Sequence, residues 1–134
     1  MYYSCLRIDY GGETLLLNQD SVKPIYIQIA EWLESEILSG NITEEERIYS
    51  QYQLAEIFNV NPATAAKSLN LLADQDIVYK KRGLGMFVSC EARERIRRNR
   101  RNHVLKQMTH DLVREAARLD VSEEELIALI RQTE

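Results

Sequence analysis

The chain has 134 residues, 45 % hydrophobic and 28 % charged, with a formal net charge of −4. That length fits one compact domain plus an appendage. No apolar run approaches the ~20 residues of a membrane span, and the start, MYYSCLRIDYGG, lacks the basic-then-apolar order of a secretory signal. Two cysteines, Cys5 and Cys90, without a CxxC pair, read as reduced thiols in a cytoplasmic protein.

The net charge conceals a segmental asymmetry. Residues 1–49 carry three basic and nine acidic side chains, residues 50–90 four and three, residues 91–118 nine and four, and residues 119–134 one and five. Positive charge is thus concentrated between two acidic ends, a polyanion-binding footprint wherever that zone forms one surface.

In chain order, residues 3–9 and 13–18 flank Gly11-Gly12 and predict a short β-hairpin. Residues 21–40 predict a helix. Pro24 suits its first turn, Ile25, Ile29, Trp32, Leu33 and Ile37 recur at helical spacing, and Gly40 ends it. Glu44-Glu45-Glu46 reads as a solvated turn before an extended piece near Ile48-Tyr49. A second helix starts at Ser50, with Gln53 completing a capping box. Its Leu54, Ile57 and Phe58 point inward, and Asn59 closes it in a left-handed conformation.

Val60 fills the corner, and Asn61-Pro62 open a third helix as cap and first residue. Leu69, Leu71 and Leu72 are its apolar stripe. Two helices around a tight corner make a helix-turn-helix pattern. Residues 77–80 and 86–89 then predict a hairpin around a basic glycine turn, completing a winged helix. Beyond it, Leu105, Met108, Leu112, Ala116 and Leu119 fall at helical spacing. Val121-Ser122-x-x-Glu125 offers a capping box and a hydrophobic staple for a last helix with Leu126, Ile127, Leu129 and Ile130.

The expected fold class is α+β, mainly helical. A β-hairpin extension (1–20) precedes a winged helix-turn-helix domain (21–90) and a C-terminal helical dimerisation region (91–134). Helices as short as the last two cannot bury both stripes on each other. Leu105, Met108, Leu112, Leu119, Leu126, Ile127 and Ile130 are therefore expected to face a second copy.

The third helix keeps small residues at its start, as a helix entering a major groove about 12 Å wide would. Asn61 and Thr64 can hydrogen-bond base edges or phosphates, Ala63 or Ala66 can touch a thymine methyl, and Lys67 supplies a cation. Its N–H groups and positive dipole end would face phosphate. An alanine-rich packing surface is the alternative. Tyr52 either reaches a phosphate or is partly buried. In the wing, Lys80, Lys81 and Arg82 precede Gly83-Leu84-Gly85, a tip slim enough for a minor groove. Arg93, Arg95, Arg97, Arg98, Arg100, Arg101 and Lys106 fit either phosphate contacts or a solvated face. His103 and His110, near Asp111 and Glu115, read as surface histidines rather than a metal site. No catalytic constellation is visible, so neither an enzyme nor a cofactor is expected.

The segments PIYIQIAEWLESEILSG, SQYQLAEIFNVNPATAAKSLNLL and KKRGLGMFVS, with its G-x-G-x-F-V, resemble the GntR family of bacterial transcription regulators over residues 24–89. The short remainder looks like the YtrA-type subgroup, in which a small helical pair serves dimerisation. The expected DNA contacts, from this chemistry and the resemblance together, are Ser50, Gln51 and Tyr52, then Asn61, Ala63, Thr64 and Lys67, and in the wing Lys81, Arg82, Gly83, Leu84 and Gly85. Three positions depart from the family pattern: Tyr52 and Ala66 stand where arginine is usual, and Leu84 where a polar or basic residue is common. The resulting expectation is a homodimeric regulator, a repressor on an inverted repeat of double-stranded DNA, with no membrane partner. The sequence is silent on a small-molecule effector. The rival is a winged-helix protein-interaction module with little DNA affinity.

Overall fold

The computed structural model describes Leu17 and residues 22–133. The hairpin expected over residues 3–18 lies outside the described residues apart from Leu17, as does Cys5.

Helix α1 (Ile25–Ser39) begins directly after Pro24, whose carbonyl accepts the N–H groups of Ile27 and Gln28 at 3.1 and 3.2 Å. It ends at Gly40, where φ is 86° and a side chain would be strained. Ile29, Trp32, Leu33 and Ile37 are buried, as their spacing requires.

Helix α2 (Gln51–Phe58) carries both halves of its capping box. The Gln53 N–H donates to Ser50 Oγ at 3.1 Å, and the Ser50 N–H donates to Gln53 Oε1 at 2.8 Å. Asn59 closes it at φ 53°, half-buried Val60 packs against the core, and Asn61 caps α3 (Pro62–Asp74) by accepting the Ala63 N–H at 2.9 Å. Phe58 meets Trp32 edge-on at 5.2 Å, so the corner is locked to α1 through an aromatic pair.

The small residues of α3 divide into two groups. Ala65 and Ser68 are fully buried beside Leu69 and Leu72, and Ser68 Oγ donates to the Tyr26 carbonyl of α1 at 2.7 Å. Smallness there lets α1 and α3 approach closely. Ala63, by contrast, is exposed.

Strands β1 (Val78–Lys81) and β2 (Gly85–Val88) pair antiparallel, Val78 opposite Val88 and Lys81 opposite Gly85. Each is displaced by one residue from its expected limits, although the Ser89 N–H still bonds Ile77 O at 2.9 Å. The acidic segment before α2 lies along the other edge of β2. The Glu45 N–H donates to Val88 O, the Val88 N–H to Glu46 O and the Ile48 N–H to Met86 O, at 2.7, 2.9 and 2.9 Å, and Arg47 bridges Phe87.

Helix α4 (Ala92–Asn99) buries Ala92 and Ile96 in this same core. The chain forms two compact units, the first running to Ile96 and the second from Arg97 onward. In the second, a π-helical segment (Arg100–Leu105) precedes α5 (Lys106–Arg118), and α6 (Glu123–Gln132) follows, capped by Ser122, whose Oγ accepts the Glu125 N–H at 3.2 Å. Ala116 is the only buried side chain among the described residues of that unit. Among the described residues no helix is long and apolar enough to cross a membrane.

Candidate nucleic-acid interface

Three sets of expected contact residues lie on the first unit. At the start of α2, Ser50 is committed to its cap, Gln51 is half-buried and Tyr52 is 69 % exposed, which removes the partly buried alternative for Tyr52. At the start of α3, Asn61, Ala63 and Lys67 are exposed and Thr64 is half-buried. The Lys67 ammonium leans back to 5.9 Å from the Tyr26 ring centre, near the outer limit of a cation–π contact.

The expectation of free N–H groups at the α3 terminus needs correction. Pro62 has none, Ala63 donates to Asn61 Oδ1, and Thr64 donates to Asn61 O at 2.9 Å. The cap satisfies the first turn internally, leaving the dipole end and the side chains to meet a ligand. Asn61 is exposed, and its side-chain NH2 is not used by the cap.

The third set is the wing. The Leu84 N–H donates to Lys81 O at 3.0 Å, closing a four-residue turn with Gly83 at φ 78° in the position that demands a left-handed residue. Arg82, Gly83 and Leu84 are exposed at the tip, Leu84 by 59 %.

Cross-strand partners share a face, so Tyr79, Phe87, Lys81 and Gly85 lie on the side away from buried Val78 and Val88. Tyr79 and Phe87 rings are 6.3 Å apart, and the Lys81 ammonium sits 4.2 Å above the Phe87 ring. At the base of this face Tyr79 donates its phenolic proton to Glu45 at 2.5 Å. That hydrogen bond to a carboxylate, with the adjoining negative charge, raises the Tyr79 pKa. The folded-state pKa lies above the unfolded one, so this linkage stabilises the fold below pH ~10 and is lost as the phenol ionises above it. In NMR titrations the Tyr79 ring should therefore titrate at higher pH in wild type than in Glu45→Gln; coincident curves would mean the bond is absent in solution.

Two of the clustered arginines make contacts within the first unit. Arg93 donates to the Leu38 carbonyl near the end of α1 at 3.2 Å, and Arg95 pairs with Asp76 and Glu91 at 3.4 and 3.5 Å. Arg47, hidden behind three glutamates in the sequence, is also brought to the Lys81 and Phe87 face of the wing, where its guanidinium lies against Gly85. Its only signal is the positively charged end of an otherwise acidic run, and nothing local reveals the bridge to Phe87.

The residues expected to meet a partner subunit are mostly open. Leu105, Met108, Leu112, Leu119, Ile127 and Ile130 are exposed, and Leu126 is half-buried. Among the described residues, no group of three or more His, Cys, Asp or Glu side chains is placed to hold a metal ion.

Known proteins share this arrangement. The sequence profile described as bacterial regulatory proteins, gntR family, matches residues 25–88. A GntR family transcriptional regulator from Listeria monocytogenes superposes with a TM-score of 0.70 at 30 % identity, covering 86 % of this chain and 99 % of that one. AraR(DBD), solved in complex with an operator, superposes with a TM-score of 0.51 at 30 % identity, covering 57 % of this chain and 95 % of that one. The HTH-type transcriptional repressor NagR of Bacillus subtilis is 33 % identical over 73 residues, 54 % of this chain and 30 % of NagR, so the chain spans under a third of that relative's length. With a winged helix-turn-helix fold and a solved relative matched over nearly its whole length, the chain belongs to the GntR family of bacterial regulatory proteins.

Proposed function

We propose that the chain is a homodimeric, cytoplasmic transcription regulator that binds an inverted-repeat operator in double-stranded DNA and acts as a repressor. The observation that carries this reading is the conjunction of two exposed elements on one small unit. One is the first two turns of α3, with Asn61, Ala63 and Lys67 exposed; the other is a glycine-tipped basic wing at Arg82 to Leu84. A helix with little bulk at its start suits a major groove, and a slim cationic tip suits the adjacent minor groove. The operator-bound AraR domain and the repressor NagR support the same reading. Dimerisation is supported by the open apolar side chains of α5 and α6, and two half-sites follow from two-fold symmetry.

One observation favours a protein-interaction module instead: at the starts of α2 and α3 Lys67 is the single cation, since Tyr52 and Ala66 stand where arginine is usual. The two readings separate in one experiment. Purified chain is used to select fragments of the host genome, and binding to those fragments is measured against salt. A regulator selects a shared two-fold motif with affinity falling steeply as salt rises; an interaction module returns no motif. Within the regulator reading, Arg82→Ala should weaken binding to all duplexes alike and lower the salt slope by roughly 1, as loss of one phosphate or minor-groove cation requires. An unchanged slope and affinity would place the wing off the DNA.

A further inference from the structure

Arg47 is absent from every motif discussed above, yet the fold delivers it to the wing. Its backbone bridges Phe87 on the edge of β2, which puts its side chain on the same sheet face as Lys81, Phe87 and Gly85. A Cβ at Gly85 would lie 3.1 Å from Arg47 Nε and 3.3 Å from Nη2. The guanidinium therefore lies across the bare backbone of Gly85, next to the tip, in space that any side chain would crowd. Gly85 also has φ 107°, a backbone conformation that favours glycine.

The carboxylates preceding Arg47 in sequence make no ion pair with it. Glu46 accepts from the Thr43 backbone N–H and hydroxyl at 2.7 and 3.0 Å, and Glu45 accepts from Tyr79 at 2.5 Å. Among the described residues Arg47 makes no ion pair, and it is exposed. The outer face of the wing is thus graded, with an acidic base at Glu45 and two cations, Arg47 and Lys81, towards the tip. Lys81 is drawn onto the Phe87 ring at 4.2 Å, whereas the planar guanidinium of Arg47 keeps a fork of donors suited to phosphate.

We propose that Arg47 is a DNA-contact residue, seated on Gly85 and gripping a backbone phosphate beside the wing, in place of the cations missing from the starts of α2 and α3. This rests on the DNA-binding reading above. The test uses the full-length chain and a fluorescent mixed-sequence duplex, because a phosphate contact does not depend on sequence. Arg47→Gln should bind more weakly and lower the salt slope by about 1, so that its deficit against wild type shrinks roughly threefold as salt rises from about 50 to 200 mM. Arg47→Lys should restore the slope, and the melting temperature of both variants should match wild type. If wild type binds and Arg47→Gln has the same affinity and slope, the inference is wrong while the DNA reading stands. It is equally overturned if Arg47→Gln loses affinity only with a lowered melting temperature and an unchanged slope, since the side chain is then structural. No binding by wild type itself to this duplex or to any selected fragment would remove both.

Discussion

Leu112→Glu combined with Ile127→Glu is expected to sediment as a monomer at micromolar concentrations, where the wild-type chain should sediment as a dimer. Burying a leucine or isoleucine side chain is worth about 1.5–3 kcal/mol. Leu112 and Ile127 are 44 % and 39 % exposed, so somewhat less than half of that remains to be gained on association. Each substitution occurs twice across a two-fold interface. The four positions together then contribute about 3 kcal/mol, and losing them raises the dimer dissociation constant by at least about a hundredfold. Carboxylates forced into an apolar contact add to the loss. Affinity for an inverted repeat should fall with it, by about 10²–10⁴-fold, because the two half-sites no longer share one effective concentration. Deleting residues 103–134 should also give a monomer, and a folded one, since Ala92 and Ile96 remain to seal the first core. A wild-type chain that sediments as a monomer at micromolar concentration would remove the dimer reading altogether.

Capping chemistry makes the helix-turn-helix legible in the sequence. Ser50 with Gln53, Asn59 and Asn61-Pro62 each leave a local signature, because a helix end must satisfy orphan backbone groups within a few residues. The pairing of residues 45–48 with β2 left none. It is a non-local contact of a polar segment, visible only once the wing is folded, and Arg47 was missed for that reason. The roles of Ala65 and Ser68 were hidden differently. A small residue for helix packing and a small residue for groove entry look alike in sequence, and the burial of Ala65 and Ser68, with the Ser68 bond to the Tyr26 carbonyl, separates them. The π-helical segment over Arg100–Leu105 was also illegible, since a widened turn changes the backbone ladder without a distinctive residue pattern.

Asn61→Ser and Thr64→Ala are each expected to relax preference at one operator position per half-site without unfolding the chain. The division of α3 into a buried and an open side makes this test sharper than the sequence allowed. Ala65 and Ser68 account for the packing, which leaves exposed Asn61 and half-buried Thr64 to face a groove. A side-chain contact to a base edge is worth about 1–3 kcal/mol of discrimination, or roughly 5- to 150-fold in relative affinity. Asn61→Ala would confuse the outcome, because Asn61 Oδ1 caps the helix at 2.9 Å and losing a cap costs about 0.5–2 kcal/mol on its own. Serine keeps a capping oxygen but removes the side-chain NH2, which the cap does not use. Thr64→Ala removes a hydroxyl while leaving the backbone bond to Asn61 O intact. If α3 were only a packing surface, Thr64→Ala would lower the melting temperature and leave any DNA preference as it was. Binding profiles on a randomised operator decide between the two. Superimposable profiles for wild type and both variants would mean that this helix does not read sequence through these residues.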